Sequence, residues 1–115
     1  MNPDLFVYGT LVPGGRYWSE VADAVVSNRP AQVRGRLYDT GRGYPAAIFH
    51  AAGTEVGGYV LTLWDPETTL AHLDSFEGHE YVRKEVETVA GERVWSYEWQ
   101  ADLAPLRLLE GGIWH

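Results

Sequence analysis

Cysteine is absent from the 115 residues. That one absence excludes disulfides, thiolate zinc sites, iron–sulfur clusters and a cysteine nucleophile. It is compatible with a reducing cytoplasm, the location expected for this chain. Positive charge is scarce as well: nine Lys and Arg stand against sixteen Asp and Glu, giving a net charge of −7. The cations are scattered, as at Arg34, Arg36, Arg83 and Lys84, whereas phosphate binding needs a concentrated basic patch. Neither nucleic acid nor an anionic membrane is therefore an expected partner. There is no run of roughly 18 apolar residues, no basic-then-apolar leader and no lipidation signature, so no membrane association is expected. Also missing are G-x-S-x-G, a P-loop, G-x-G-x-x-G after a strand, and H-E-x-x-H. The four histidines lack ligand spacing; His72 and His79 could meet across a helix end, but read as exposed polar residues. No metal and no cofactor is expected. Any catalysis must then rest on carboxylates, hydroxyls and backbone amides.

What is present suffices for one core. Apolar residues make up 45%, with three Phe, five Trp and seven Tyr, and a chain of this length makes one domain, residues 1–115. Leu5-Phe6-Val7-Tyr8 reads as a buried strand stopped by Gly9, followed by a Pro/Gly loop over Leu11 to Arg16. Trp18, Val21, Ala22 and Val25 fall on one helical face, and Pro30 closes that segment. Ala31 to Tyr38 alternates as a half-buried strand, and Ala46 to Phe49 is a second short strand. Val56 to Trp64 is longer, its Gly57-Gly58 pair marking a bulge or a close backbone approach. Asp65-Pro66-Glu67 starts a helix that Gly78 ends. Strands over Tyr81 to Val89 and Arg93 to Trp99 flank a turn at Gly91, with a bulge expected near Lys84-Glu85. Leu106-Leu108-Leu109 is the one apolar run of the tail. Strands thus dominate over two short helices, an α+β chain with a curled or closed mixed sheet. The tryptophans Trp95 and Trp99 read as packing or as a dimer contact; the oligomeric state is left open.

Two places hold groups suited to chemistry. Leu70, Leu73 and Glu77 share a helical stripe, so Glu77 continues the core-facing side, with Phe76 as apolar cover. A desolvated carboxyl there would titrate near neutrality and could take and return a proton. Periodicity alone leaves the alternative that Glu77 points to water, with Asp74 at the rim and Glu80 in the loop as rivals. Tyr8-Gly9-Thr10-Leu11 is the other place: a strand ending in Gly-Thr leaves backbone N–H groups without ladder partners, a potential nest for a carboxylate or oxyanion, or else an ordinary turn. Gly43-Tyr44-Pro45 could form a pocket wall or a turn.

Taken in order, Phe6-Val7-Tyr8-Gly9-Thr10-Leu11, Gly43-Tyr44-Pro45-Ala46, Val56-Gly57-Gly58-Tyr59-Val60, Leu73-Asp74-Ser75-Phe76-Glu77-Gly78, Tyr81-Val82-Arg83 and Gly112-Ile113-Trp114 resemble the gamma-glutamylcyclotransferase-like family. The resemblance implies a small mixed β-barrel with flanking short helices and a cavity beside the YGTL loop. It implies release of 5-oxoproline from a γ-glutamyl amine, amino acid or peptide, by attack of the substrate α-amine on its γ-carbonyl. By the same resemblance Glu77 is the catalytic acid/base, and Tyr8, Gly9, Thr10 and Leu11 hold the glutamyl moiety. Tyr44, Tyr81, Arg83 and Tyr97 complete the substrate-binding set. Two other readings stand beside it: a non-catalytic module binding a small γ-glutamyl or acidic ligand, and hydrolytic or acyl-transfer chemistry using water or a foreign amine.

Overall fold

A computed structural model describes residues 1–115. In chain order it contains β1 (Asp4–Val7), two 3-10 turns (Trp18–Glu20 and Ala22–Ala24), β2 (Val25–Asp39), β3 (Pro45–Phe49), β4 (Thr54–Leu63), α1 (Pro66–Glu77), β5 (Tyr81–Glu87), β6 (Arg93–Trp99) and β7 (Arg107–Leu109). All strands belong to one mixed sheet of order β3-β2-β4-β1-β6-β5, with β7 on β2. The β1–β6 pair is parallel and the other pairs are antiparallel.

The apolar run of β1 is explained by burial on both of its faces. Phe6 and Tyr8 enter the barrel interior with Val33, Leu37, Val56, Val60 and Val94. Leu5 and Val7 face the other way, under α1, with Leu61, Leu63, Leu70 and Leu73. Side chains alternate across a strand, so a strand sandwiched between two cores must be apolar at every position. Asp65 caps α1 by accepting from the Thr68 N–H at 3.4 Å, with Pro66 in the first turn. Leu70 and Leu73, both fully buried, dock the helix, each contributing about 1.5–3 kcal/mol. Gly78 ends it at φ 78°, a conformation that costs glycine no Cβ clash.

The sheet curls until its edges nearly meet. The Val33–Thr88 bridge and the Val89 N–H to Gln32 carbonyl bond join β2 to the end of β5. Side chains close the remaining gap: the Phe49 N–H donates to Glu98 at 2.8 Å and the Tyr81 hydroxyl donates to the Pro45 carbonyl at 2.6 Å. The small, nearly closed mixed barrel expected from the sequence is thus present, with one helix and two short 3-10 turns.

Three local expectations differ. The helix read over Trp18 to Val25 is a pair of 3-10 turns, and Val25 already belongs to β2. Pro30 lies inside β2 opposite Tyr59 rather than closing an element; there β2 pairs only with β4, so its other side is an edge where proline's missing N–H is tolerated. The β5–β6 register runs unbroken from Tyr81–Trp99 to Glu87–Arg93, so no bulge occurs at Lys84-Glu85. Instead Tyr81 faces the helix side and Val89 has already left the strand. The irregularity lies in β2, between Val25 and Ser27. No helix is long and apolar enough to cross a membrane.

Candidate active site

A cavity of about 270 Å³ opens where β1 ends and α1 terminates, with Pro45 and Tyr44 on the side of β3. Tyr8, Gly9, Thr10, Leu11, Tyr44, Glu77, Tyr81 and Tyr97 all line it. The bend after β1 that brings the first four here is held by the Tyr17 N–H donating to Thr10 at 2.8 Å and Gly15 N–H to Val12 at 2.7 Å. Gly9 is required at that bend because a Cβ would come within 2.6 Å of the Pro45 ring. The amides of Gly9, Thr10 and Leu11 donate no hydrogen bond within the protein. Three successive free donors at a half-buried wall can hold a carboxylate or a developing oxyanion.

Glu77 faces the same space from the last turn of α1. It is half-buried and has no hydrogen-bond or ion-pair partner within the protein. Burial, with no nearby cation to offset it, pushes its carboxyl up to about 7. Asp74, one turn earlier, behaves oppositely. Although burial works against its charged form, it accepts from Arg83 at 2.9 Å and from the Tyr97 hydroxyl at 2.7 Å, which together hold it below the usual carboxylate range. Glu80, in the turn after α1, is likewise held low, chiefly by its hydrogen bond from Arg42 at 2.9 Å, and it also accepts from Tyr44. Of the three carboxylates near the helix end, only Glu77 is poised to exchange a proton near neutral pH.

The tyrosines are walls rather than acids. The Tyr8 hydroxyl donates to the Tyr97 carbonyl, Tyr81 to Pro45 and Tyr97 to Asp74. Desolvation, aided by neighbouring negative charge, raises all three phenols above their ordinary value, so they stay neutral. Arg83 is the one expected binding residue that does not line the cavity. It shares a face of β5 with Tyr81, but two residues along a strand is nearly 7 Å, which carries it to Asp74 and over the Trp95 ring, 4.5 Å from the centroid. His72 meets Glu20 at 3.2 Å, and no cluster of metal-ligating side chains exists.

Tyr17 belongs to the site although no motif in the sequence marks it. It lines the cavity and sets its ring edge against Phe76, with centroids 5.4 Å apart. Its only signal was an aromatic at the exit of the Gly-rich loop, and the helix expected from Trp18 drew attention past it.

Comparison with known proteins decides the family. The family model "Gamma-glutamyl cyclotransferase, AIG2-like" matches residues 5–115. The chain belongs to this family. The gamma-L-glutamyl-butirosin B gamma-glutamyl cyclotransferase of Niallia circulans is 35% identical over 75 residues, covering 65% of this chain and 46% of that protein. YkqA from Bacillus subtilis superposes with a TM-score of 0.77 at 24% identity, over 99% of this chain and 40% of that one. The chain therefore spans less than half the length of either of these two relatives. An AIG2-like protein from Mus musculus matches at TM-score 0.71 and 21% identity, over 94% of this cyclotransferase-family chain and 86% of its own. At such identities the two structural likenesses establish the fold.

Proposed function

We propose that this protein is a cyclotransferase that releases 5-oxoproline from a γ-glutamyl amine, amino acid or peptide, with Glu77 as general acid and base. One observation carries the reading: an unpartnered carboxyl, pushed up to about 7 by burial, lines the same cavity as the free amides of Gly9, Thr10 and Leu11. Family membership supports the reaction class, and the butirosin enzyme is a relative whose name states that activity.

The substrate supplies its own nucleophile, so the protein must fold it, move protons and stabilise charge. Backbone amides of residues 9–11 hold an anionic oxygen of the glutamyl group. Tyr8, Tyr44, Tyr81 and Tyr97 confine the chain so that the α-nitrogen lies near the γ-carbonyl, and such positioning can supply several kcal/mol of the barrier. Ionised Glu77 takes a proton from the α-ammonium. The freed amine forms a bond to the γ-carbon, and the carbonyl electrons move onto oxygen. As the oxygen electrons re-form the carbonyl and the old C–N bond breaks, Glu77 returns that proton to the departing nitrogen. The second proton of the newly bonded ring nitrogen passes to the released amine. A five-membered lactam and an ammonium result. General acid–base catalysis of this kind contributes roughly 10² to 10⁴ in rate.

The test is mass-spectrometric detection of 5-oxoproline from a panel of γ-glutamyl amines, amino acids and short peptides. Glu77→Gln should abolish turnover while ligand still binds by calorimetry. Undiminished turnover in that variant would remove Glu77 from the role. Free glutamate in place of 5-oxoproline would identify a hydrolase, and binding with no product from wild type would identify a non-catalytic module.

A further inference from the structure

We propose that Arg16 is a specificity-determining residue that binds a carboxylate on the leaving portion of the substrate, so that γ-glutamyl amino acids and peptides are preferred over simple γ-glutamyl amines. The inference rests on the cyclotransferase reading of the cavity.

No lysine or arginine lines the cavity. A second cleft adjoins it, with Gly9 and Thr10 as the common wall. Arg16 lines this cleft and no acidic side chain does. A leaving portion that passes the Gly9-Thr10 rim would enter this cleft.

Arg29, Arg42, Arg83, Arg93 and Arg107 each pair with a carboxylate, as does Lys84. Arg16 has no acidic partner, as is true of Arg34 and Arg36 on β2, but of these three only Arg16 lines the cleft beside the cavity. A lone cation beside a cavity is notable on a chain with net charge −7. Its side chain is exposed but makes two contacts. It lies over the Tyr17 ring, 5.2 Å from the centroid, and one terminal nitrogen lies 3.0 Å from where a Gly43 Cβ would stand. Glycine at position 43 thus leaves the room that this nitrogen occupies. Stacking on an aromatic face pre-organises the planar fork while its edge remains available for two parallel hydrogen bonds to a carboxylate.

The rest of the rim does not oppose an anion. The cavity lining holds two carboxyl groups, Glu77 and Glu80; Glu77 faces the substrate ammonium, and Arg42 neutralises Glu80 at 2.9 Å. Arg42 and Glu80 cancel, which leaves Arg16 as the cation of this rim without an acidic side chain beside it.

The test uses a matched pair, γ-glutamyl-alanine and γ-glutamyl-ethylamine, which differ only by the leaving-group carboxylate. The readout is kcat/KM for 5-oxoproline release by wild type, Arg16→Gln and Arg16→Lys. Wild type should favour the alanine derivative by roughly tenfold or more, as expected for a charge-assisted pair. In Arg16→Gln that ratio should collapse to within about threefold, and Arg16→Lys, which keeps the charge but not the fork, should fall between. An unchanged ratio in Arg16→Gln would overturn the proposal. So would an equal loss on both substrates, which would assign Arg16 to the glutamyl half, or a wild-type preference for the ethylamide. Absence of 5-oxoproline from both substrates with wild type would instead overturn the cyclotransferase reading, and the inference with it.

Discussion

A carboxyl kept from water without a counter-ion is a cost the folded protein carries whenever that group is ionised, and Glu77 is such a group. Its folded value of about 7 lies above the ordinary glutamate value of 4.5 that the unfolded chain retains. Below about pH 4.5 both states are protonated and Glu77 costs nothing. Between 4.5 and 7 the unfolded chain ionises first, so stability falls as pH rises, and above 7 the penalty is complete. A shift of this size corresponds to on the order of 3 kcal/mol as an upper bound. Glu77→Gln should therefore unfold at higher urea concentration than wild type at pH 8, with the difference vanishing toward pH 4.5. Identical urea midpoints at both pH values would mean that the carboxyl is solvated. At this scale the sequence was informative but incomplete. The i, i+3, i+7 stripe of Leu70, Leu73 and Glu77 placed the acid on the core-facing side. What periodicity could not show is that Asp74 and Glu80 have partners, because Arg83 reaches Asp74 from the next strand, and Tyr97 and Arg42 reach Asp74 and Glu80 from 23 and 38 positions away.

Among the elements, β1 and β4 are pressed together at one point where only glycine fits. A Cβ on Gly58 would come within 2.0 Å of the Val7 carbonyl oxygen and 3.0 Å of the Tyr8 Cα. Both contacts are backbone of the strand that leads into the Gly9–Leu11 bend, so relief would require the ladder itself to move. Gly58→Ala should lower unfolding free energy by roughly 3 kcal/mol or more, in the range of overpacking in a rigid core, as measured by urea denaturation. A loss below about 1 kcal/mol would show that the β1–β4 pair yields easily. The glycine pair was legible as a bulge or a close approach, and the approach is what occurs, at Gly58. The Trp18 to Val25 segment was misread. Its apolar spacing satisfies a helical template over two turns, but Val25 and Val26 are β-branched and suit an extended chain. The partner of Val25 on β4, Leu63, lies far along the sequence, where no local pattern can reveal it.

For the whole molecule, barrel closure is uneven. β4 and β1 have ladder partners on both sides, whereas β3 and β5 are the edges, and over Pro45–Phe49 the outer edge is secured by two side-chain bonds rather than a ladder. One of these bonds, from Tyr81 to the Pro45 carbonyl, is also at the cavity wall, so closure of the barrel and shape of the site share a fastening. This coupling was not legible in the sequence, since neither Glu98 nor Tyr81 announces a partner some 36 to 49 positions earlier. Local opening follows the weakest contacts, so amide exchange should report it directly. In a Tyr81→Phe, Glu98→Ala double variant, the amides of Ala46–Phe49 should exchange roughly tenfold faster or more, while those of Val60 and Leu61 keep wild-type protection. Uniform acceleration across both groups would mean that the barrel opens only as a unit. Unchanged exchange at Ala46–Phe49 would mean that backbone pairing with β2 alone holds the edge, and that Tyr81 serves the cavity without serving the fold.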